Sequence, residues 1–254
     1  MRLGVYQCDA AGRTPEARLT VLDRLLTGRS LDLLVCPELF LSGYDAGEAH
    51  ERLAEEPETG PFASGIKALA KRHSTAIAYG YPERGDGVLF NAAALVDARG
   101  ALLANHRKRL PSPGSFEESA FANGEAVTFA DLGGWRLAML ICYEVEFPES
   151  LRQAALGGAD LVIVPTALGA DWGVVAEQVV PTRAFENGLW LAYAGHAGEE
   201  NGARYYGGSR IADPLGHVLA DAGQAETVIE AELSRDAATA ARARLPYLRD
   251  CARL

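Results

Sequence analysis

Long hydrophobic runs are missing from this 254-residue chain. No stretch approaches the roughly 18 apolar residues that a membrane-spanning helix needs, which excludes a helical membrane protein on length. The opening "MRLGVYQCDA" alternates like a strand. It has neither an extended apolar core nor a small-residue cleavage site, so nothing in it points to export. Cysteine is scarce: Cys8, Cys36, Cys142 and Cys251 stand far apart, with no C-x-x-C pair and no histidine at zinc-ligand spacing. That pattern suits free thiols in a reducing cytoplasm. Positive charge is in deficit, with 24 Lys and Arg against 34 Asp and Glu and a formal charge of -10. Phosphate-backbone binding depends on clustered Lys and Arg releasing counterions, so the balance argues against a nucleic-acid partner. The one basic cluster, His106 to Arg109, is short and embedded between apolar segments, and reads as local chemistry. Repeats of solenoid period, low-complexity tracts and linkers are also absent.

What is present is a globular composition, 48% hydrophobic and 23% charged, with enough chain for a sizeable core. Residues 2–8 read as a strand, and 14–26 place Ala17, Leu19, Leu22, Leu25 and Leu26 on one helical stripe. "LDLLVCPELF" then begins as a nearly continuous apolar run, the signature of a strand covered on both faces, and Pro37 ends it. The order recurs with a helix over 62–73, a strand over 75–79, and paired strands over 89–96 and 101–107. In the second half the spacing predicts strands at 135–141, 161–164 and 189–194, and helices at 148–156 and 174–187, the latter closed by Gly188 as C-cap. Strands follow around 207–212, at 217–220 and at 227–231. Ser234 is the expected cap of a final helix running to about Arg244. One α/β domain over 1–254 is the economical reading.

Loops that follow strand C-termini carry the reactive groups of α/β sheets. Three chemically distinct residues meet that condition. Glu38 lies just past the strand at 33–35, Lys108 closes the strand at 101–107, and Cys142 ends the strand at 135–141. Taken singly, each has a plain alternative: a solvated loop carboxylate, a surface ammonium, a buried thiol that merely packs. Together they supply a base, a cation and a nucleophile, and a cysteine thiol needs a base or a positive charge nearby to gain thiolate character. None of His50, His73, His106, His196 and His217 has the flanking pattern of a cysteine-protease base.

The segments "VCPELFLSGY", "NHRKRL" and "LICYEVEFPE", in that order, resemble the three signature blocks of the carbon-nitrogen hydrolase (nitrilase) superfamily, and "VPTA" and "RAFENG" extend the likeness. The resemblance implies a four-layer αββα sandwich. It also implies a triad of Glu38 as general base, Lys108 as electrostatic support and Cys142 as nucleophile. In such a site the oxyanion is held by the Lys108 ammonium and the backbone N–H of Tyr143. Many members add a second glutamate from the loop after the lysine, which here is "RLPSPGSFEESAFANG". Glu117 is the candidate, with Glu118 beside it and a solvated Glu–Glu pair as the alternative. Glu144 is expected to be a buried pairing residue, Glu146 is unassigned, and Arg183 and Glu186, three apart on a helix, are expected to pair with each other. Tyr44, Asn91, Ala167 and Trp172 lie in segments that line the pockets of relatives, with core packing or loop structure as the alternative for each.

The resemblance implies no metal or cofactor, a small-molecule amide as partner and a homodimer. The flanking segments resemble bacterial 5-aminopentanamidase and related aliphatic amidases. They point to hydrolysis of a short primary amide, one bearing a terminal amine among the options, through a cysteine thioester. A nitrilase or an N-carbamoyl amidase would use the same triad. Tyr143, where nitrilases often carry tryptophan, favours amides, and no pocket arginine for a carboxylate end is identifiable in the sequence. A catalytically silent interaction module is the alternative from another class.

Overall fold

The computed structural model describes residues 1–85, 87–251 and 253. Two sheets stack face to face because their strands alternate between two apolar destinations. In the first sheet Leu3, Val5, Leu33, Val35, Ala76 and Ala78 point inward. They meet Leu137, Met139, Leu161, Ile163, Trp190 and Ala192 from the second. The intervening residues face outward, where helices cover them. Tyr6, Leu34, Ile77 and Tyr79 pack on Leu22 and Leu26 of the helix Pro15–Leu26 and on Phe62 and Ile66 of the helix Pro61–His73. On the far side Ala138, Val162, Val164 and Leu191 pack on the helices Pro148–Leu156 and Val180–Asn187. The layers run helix, sheet, sheet, helix, the expected αββα order.

Each sheet has a parallel centre with antiparallel flanks. In the first, Arg2–Asp9, Leu33–Val35 and Ala76–Gly85 run parallel, while Val88–Val96 and Leu102–Arg107 continue antiparallel. In the second, Trp135–Met139, Leu161–Pro165 and Trp190–Ala194 are parallel. The parallel centres bring several strand C-termini to one end of the stack, and the chemistry-bearing residues gather there.

Several boundaries depart from the sequence expectations for local reasons. The strand expected at 75–79 continues to Gly85, through Pro82. Its neighbour Leu33–Val35 stops pairing at Ala78, so Pro82 lies where the ladder on that side has ended and its missing N–H costs nothing. The helix expected over 174–187 begins as a π-helical turn, Val175–Val179, and becomes α-helical at Val180–Asn187. Pro181 cannot donate to the preceding turn, which accounts for the wider winding before it. Gly188 takes the left-handed C-cap conformation at φ 58. Ser234 precedes the helix Arg235–Arg244, but its side chain makes no capping hydrogen bond. Strands Thr128–Leu132, His196–Glu200 and Ala203–Tyr206 were not expected. Among the described residues no helix is long and apolar enough to cross a membrane.

Candidate active site

Glu38 sits on a turn that the chain can make at few other sequences. Pro37 stops the strand, and Leu39 adopts a left-handed conformation at φ 46. The turn lies against Gly80, where an added Cβ would stand 2.4 Å from Leu39 N and 2.7 Å from Glu38 Cα. Gly80 N–H donates to the Pro37 carbonyl at 3.0 Å. On the other side His196 Nε2 donates to the Glu38 carbonyl at 2.7 Å, while its Nδ1 lies 3.1 Å from Cys8 Sγ. Burial pushes His196 down to about 3, so the ring is neutral and can hold one tautomer.

Cys142 also has a left-handed backbone, φ 48, and opens a 3-10 turn, Cys142–Glu146, that leads into the helix starting at Pro148. Glu144 holds this turn. Its Oε2 accepts from Ile141 N at 2.8 Å and from His106 Nε2 at 2.8 Å, and its Oε1 accepts from Arg109 Nε at 2.6 Å. Burial works to raise the Glu144 pKa, but the bonds from His106 and Arg109 outweigh it and hold the carboxyl below its ordinary range. His106 and Arg109 flank Lys108. One buried carboxylate therefore locks the end of the lysine strand to the turn carrying the cysteine, across the two sheets.

Lys108, fully buried, spends its three ammonium protons on Glu38 Oε1 at 2.7 Å, Glu117 Oε1 at 2.8 Å and, more loosely, Ser112 Oγ at 3.3 Å. Burial disfavours its charge, yet Glu38, Cys142 and Glu117 together raise its pKa. Glu38 is fully buried, where the sequence alone allowed a solvated carboxylate. Burial raises its carboxyl, Lys108 opposes and Glu117 adds to the rise, placing it at about 7. Oε1 of Glu38 also accepts from Asn91 Nδ2 at 2.7 Å, while Oε2 is buried and, among the described residues, accepts from no side chain or backbone group. Burial, and then the Glu38 charge, push the Cys142 thiol up to about 12, with Lys108 pulling the other way.

The candidates fall into place as follows. Glu117 is buried on Lys108 and accepts the hydroxyl proton of Tyr44, while Glu118 is exposed. Phe116 stacks on His50 at 5.2 Å and meets Tyr44 edge-on at 5.2 Å, which fastens the Glu117 loop to the Tyr44 loop. A cleft of about 570 Å³ opens above, with Cys142 and Tyr143 at its floor and Tyr44, Ala167 and Trp172 among its walls. Cys142 is only 8% exposed and Trp172 is 63% exposed, so the thiol is reached from the bottom of the cleft and the indole stands at its mouth. Arg183 pairs with Glu186 at 3.0 Å and donates to the carbonyls of Val145 and Glu146, a brace for the cysteine turn. Among the described residues no His, Cys, Asp and Glu group is arranged to hold a metal ion.

Sequence reasoning missed three positions. His196 had no motif to announce it, because it acts on a main-chain carbonyl. Arg204, on the four-residue strand Ala203–Tyr206 that is too short to show a periodic pattern, lines the cleft. Glu146 was left unassigned and also faces the cleft.

The carbon-nitrogen hydrolase family model matches residues 4–243. "Hydrolase in pqqF 5'region" of Pseudomonas protegens is 43% identical, covering 98% of this chain and 88% of that protein. An (R)-stereoselective amidase of a Pseudomonas species is 34% identical over 86% of this chain and 79% of its own. Among solved structures, the NitN amidase of Nesterenkonia sp. AN1 superposes with a TM-score of 0.87 at 32% identity, covering 98% of this chain and 96% of that one. Variants of the same amidase, at TM-score 0.85, carry acrylamide added at the active-site cysteine or are in complex with butyramide.

Proposed function

The chain belongs to the carbon-nitrogen hydrolase family, and from that premise we propose that it is an amidase that converts a short aliphatic primary amide to its carboxylate and ammonia. One observation carries the reading: the Cys142 thiol lies at the foot of a cleft, within the field of a buried Glu38–Lys108–Glu117 cluster, and among the described residues the second oxygen of Glu38 has no partner of its own. That oxygen is available to take and return a proton.

The chemistry follows from the charges. A thiol near 12 and a carboxyl near 7 do not coexist as thiolate and acid before attack. Burial and the Glu38 charge both hold the proton on sulfur until the bond to carbon begins to form. The thiol proton therefore passes to Glu38 as sulfur bonds to the amide carbonyl carbon. The oxyanion that forms takes a bond from the Tyr143 N–H and from Lys108, whose long contact to Ser112 is the one most easily exchanged. Collapse breaks the C–N bond, Glu38 returns its proton to nitrogen, and ammonia leaves a thioester on Cys142. Water then attacks the thioester while Glu38 accepts its proton; as the C–S bond breaks Glu38 passes that proton to sulfur, and the carboxylic acid released ionises in solvent. Glu117 and Asn91 keep Lys108 and Glu38 in register.

5-Aminopentanamide is the substrate proposed first, on the likeness of the flanking segments to aliphatic amidases of that kind. A homodimer, which rests on the family resemblance, and a cytoplasmic setting, which rests on the scattered free cysteines, complete the proposal. The test is ammonia release from 5-aminopentanamide, butyramide, an N-carbamoyl amine and matched nitriles, each beside Cys142→Ala. Release from amides that vanishes in the variant supports the reading. Release from nitriles or carbamoyl compounds alone overturns the amide assignment.

A further inference from the structure

Glu146 closes the turn that Cys142 opens, and like Cys142 and Tyr143 it lines the cleft. Its neighbour Glu144 is turned inward and saturated by His106, Arg109 and Ile141. Glu146 is in the opposite position. Its side chain is half-buried, and among the described residues no donor reaches its carboxylate. The nearest guanidinium, Arg183, is committed to the carbonyls of Val145 and Glu146 and to Glu186. Burial raises the Glu146 pKa, with the charges of Lys108 and Arg183 working against the rise. A carboxylate partly removed from water and given no protein partner has a cation as its natural complement, through a charge-assisted hydrogen bond.

The rest of the cleft points the same way. Asp45 lines another wall, and its main chain is held by Glu200 and Asn201 while, among the described residues, no donor reaches its carboxylate. Lys108, the buried cation beneath, already faces two carboxylates, Glu38 and Glu117. Arg204 is the cation of the lining itself, and it is exposed, so solvent screens it more than it screens Glu146. Away from the nucleophile the lining therefore carries two carboxylates, Asp45 and Glu146, against one exposed guanidinium. Position adds a ruler: a 3-10 turn rises about 2 Å per residue, which sets Glu146 about 8 Å along the axis from Cys142.

We infer that Glu146 is the subsite for the terminal ammonium of the substrate, and that the chain acts on short aliphatic amides carrying a primary amine at the far end, a few methylenes from the scissile carbonyl. This rests on the reading of Cys142 as an amide-cleaving nucleophile, and it assigns the feature that selects among amides.

The experiment compares kcat/KM on three amides of similar length that differ in end charge: 5-aminopentanamide, neutral hexanamide and anionic glutaramate. The wild-type chain should prefer the cationic amide over hexanamide by roughly tenfold or more, the scale of one charge-assisted contact. Glu146→Gln should collapse that ratio, chiefly through KM, and Glu146→Lys should turn preference toward glutaramate. Glu146→Asp retains charge but withdraws it by one methylene, so its optimum should move to 6-aminohexanamide. This third variant reports on the subsite by a gain, which a folding defect cannot mimic. A ratio unchanged in Glu146→Gln, or a wild-type preference for hexanamide or glutaramate, overturns the subsite. Failure to cleave any of the three amides overturns the underlying amidase reading instead, so the two failures are distinguishable.

Discussion

Replacing Glu144 by glutamine tests whether one buried carboxylate holds the cysteine turn to the lysine strand. The amide is nearly isosteric, but it has one acceptor oxygen where the carboxylate has two. If that oxygen stays with His106 and the Ile141 N–H, the new NH2 faces Arg109 Nε, which now sits 2.6 Å from its acceptor. Donor then meets donor beside a carboxyl site that is itself fully buried. Breaking a buried charge pair by removing one partner costs about 3 to 5 kcal/mol, and we expect about 3 because part of the network survives. For a chain of this size that corresponds to a fall in Tm of roughly 6 to 12 °C. The folded chain holds Glu144 below its ordinary value, so its contribution is complete above about 4.5 and fades as pH falls toward the depressed value. The gap between wild type and Glu144→Gln should therefore be full at neutral pH and narrow below about pH 4.5. Thermal melts of both proteins at the two pH values measure it, and alkylation of Cys142 by iodoacetamide reports whether the turn has shifted. A Tm within about 2 °C of wild type at neutral pH, or a gap that widens in acid, would refute the reasoning.

Three further outcomes are expected. Glu38 must be ionised to accept a proton, and burial places it at about 7, so kcat/KM on a neutral amide should rise through that pH; a flat profile from about 5.5 to 8 would remove Glu38 as the base. Gly80→Ala would force a Cβ to within 2.4 Å of Leu39 N, and it should cost activity by about tenfold or more through the displaced Glu38 turn; wild-type kcat would show that the turn tolerates the shift. His196→Ala leaves the Glu38 carbonyl and Cys8 without their ring partner, and should lower kcat more than it raises KM while lowering Tm by the cost of one unsatisfied buried group, about 1 to 3 kcal/mol; an equal loss in stability with unchanged kcat would make His196 structural only.

The strands most legible in the sequence are those buried on both faces. Leu33–Val35 and Leu161–Pro165 are continuous apolar runs closed by prolines, and their composition leaves little else for them to be. The strand His196–Glu200 reads "HAGEE", with a glycine at positive φ and two glutamates, and its pairing is a tertiary fact with no local signature. Glu38, Lys108 and Cys142 stood out because each follows a recognisable strand, and the structure brings them together around one ammonium. Burial was not legible in the same way. Glu117 and Glu118 are adjacent and identical in kind, yet one is buried on Lys108 and the other faces solvent, a difference set by a turn of helix at Glu117–Ala120 that the polar loop composition conceals. Glu144 and Glu146 divide likewise, one facing the His106–Arg109 clamp and the other the cleft.

The most direct test of the central claim is to trap the acyl-enzyme. The chain, mixed with butyramide, is quenched in acid within the first turnovers and its four cysteine peptides are mapped by mass spectrometry. The account predicts a butyryl thioester on the peptide containing Cys142, absent from those of Cys8, Cys36 and Cys251 and absent altogether in Cys142→Ala, which should release no ammonia. Turnover that persists in Cys142→Ala, or acyl label on another residue, would contradict it.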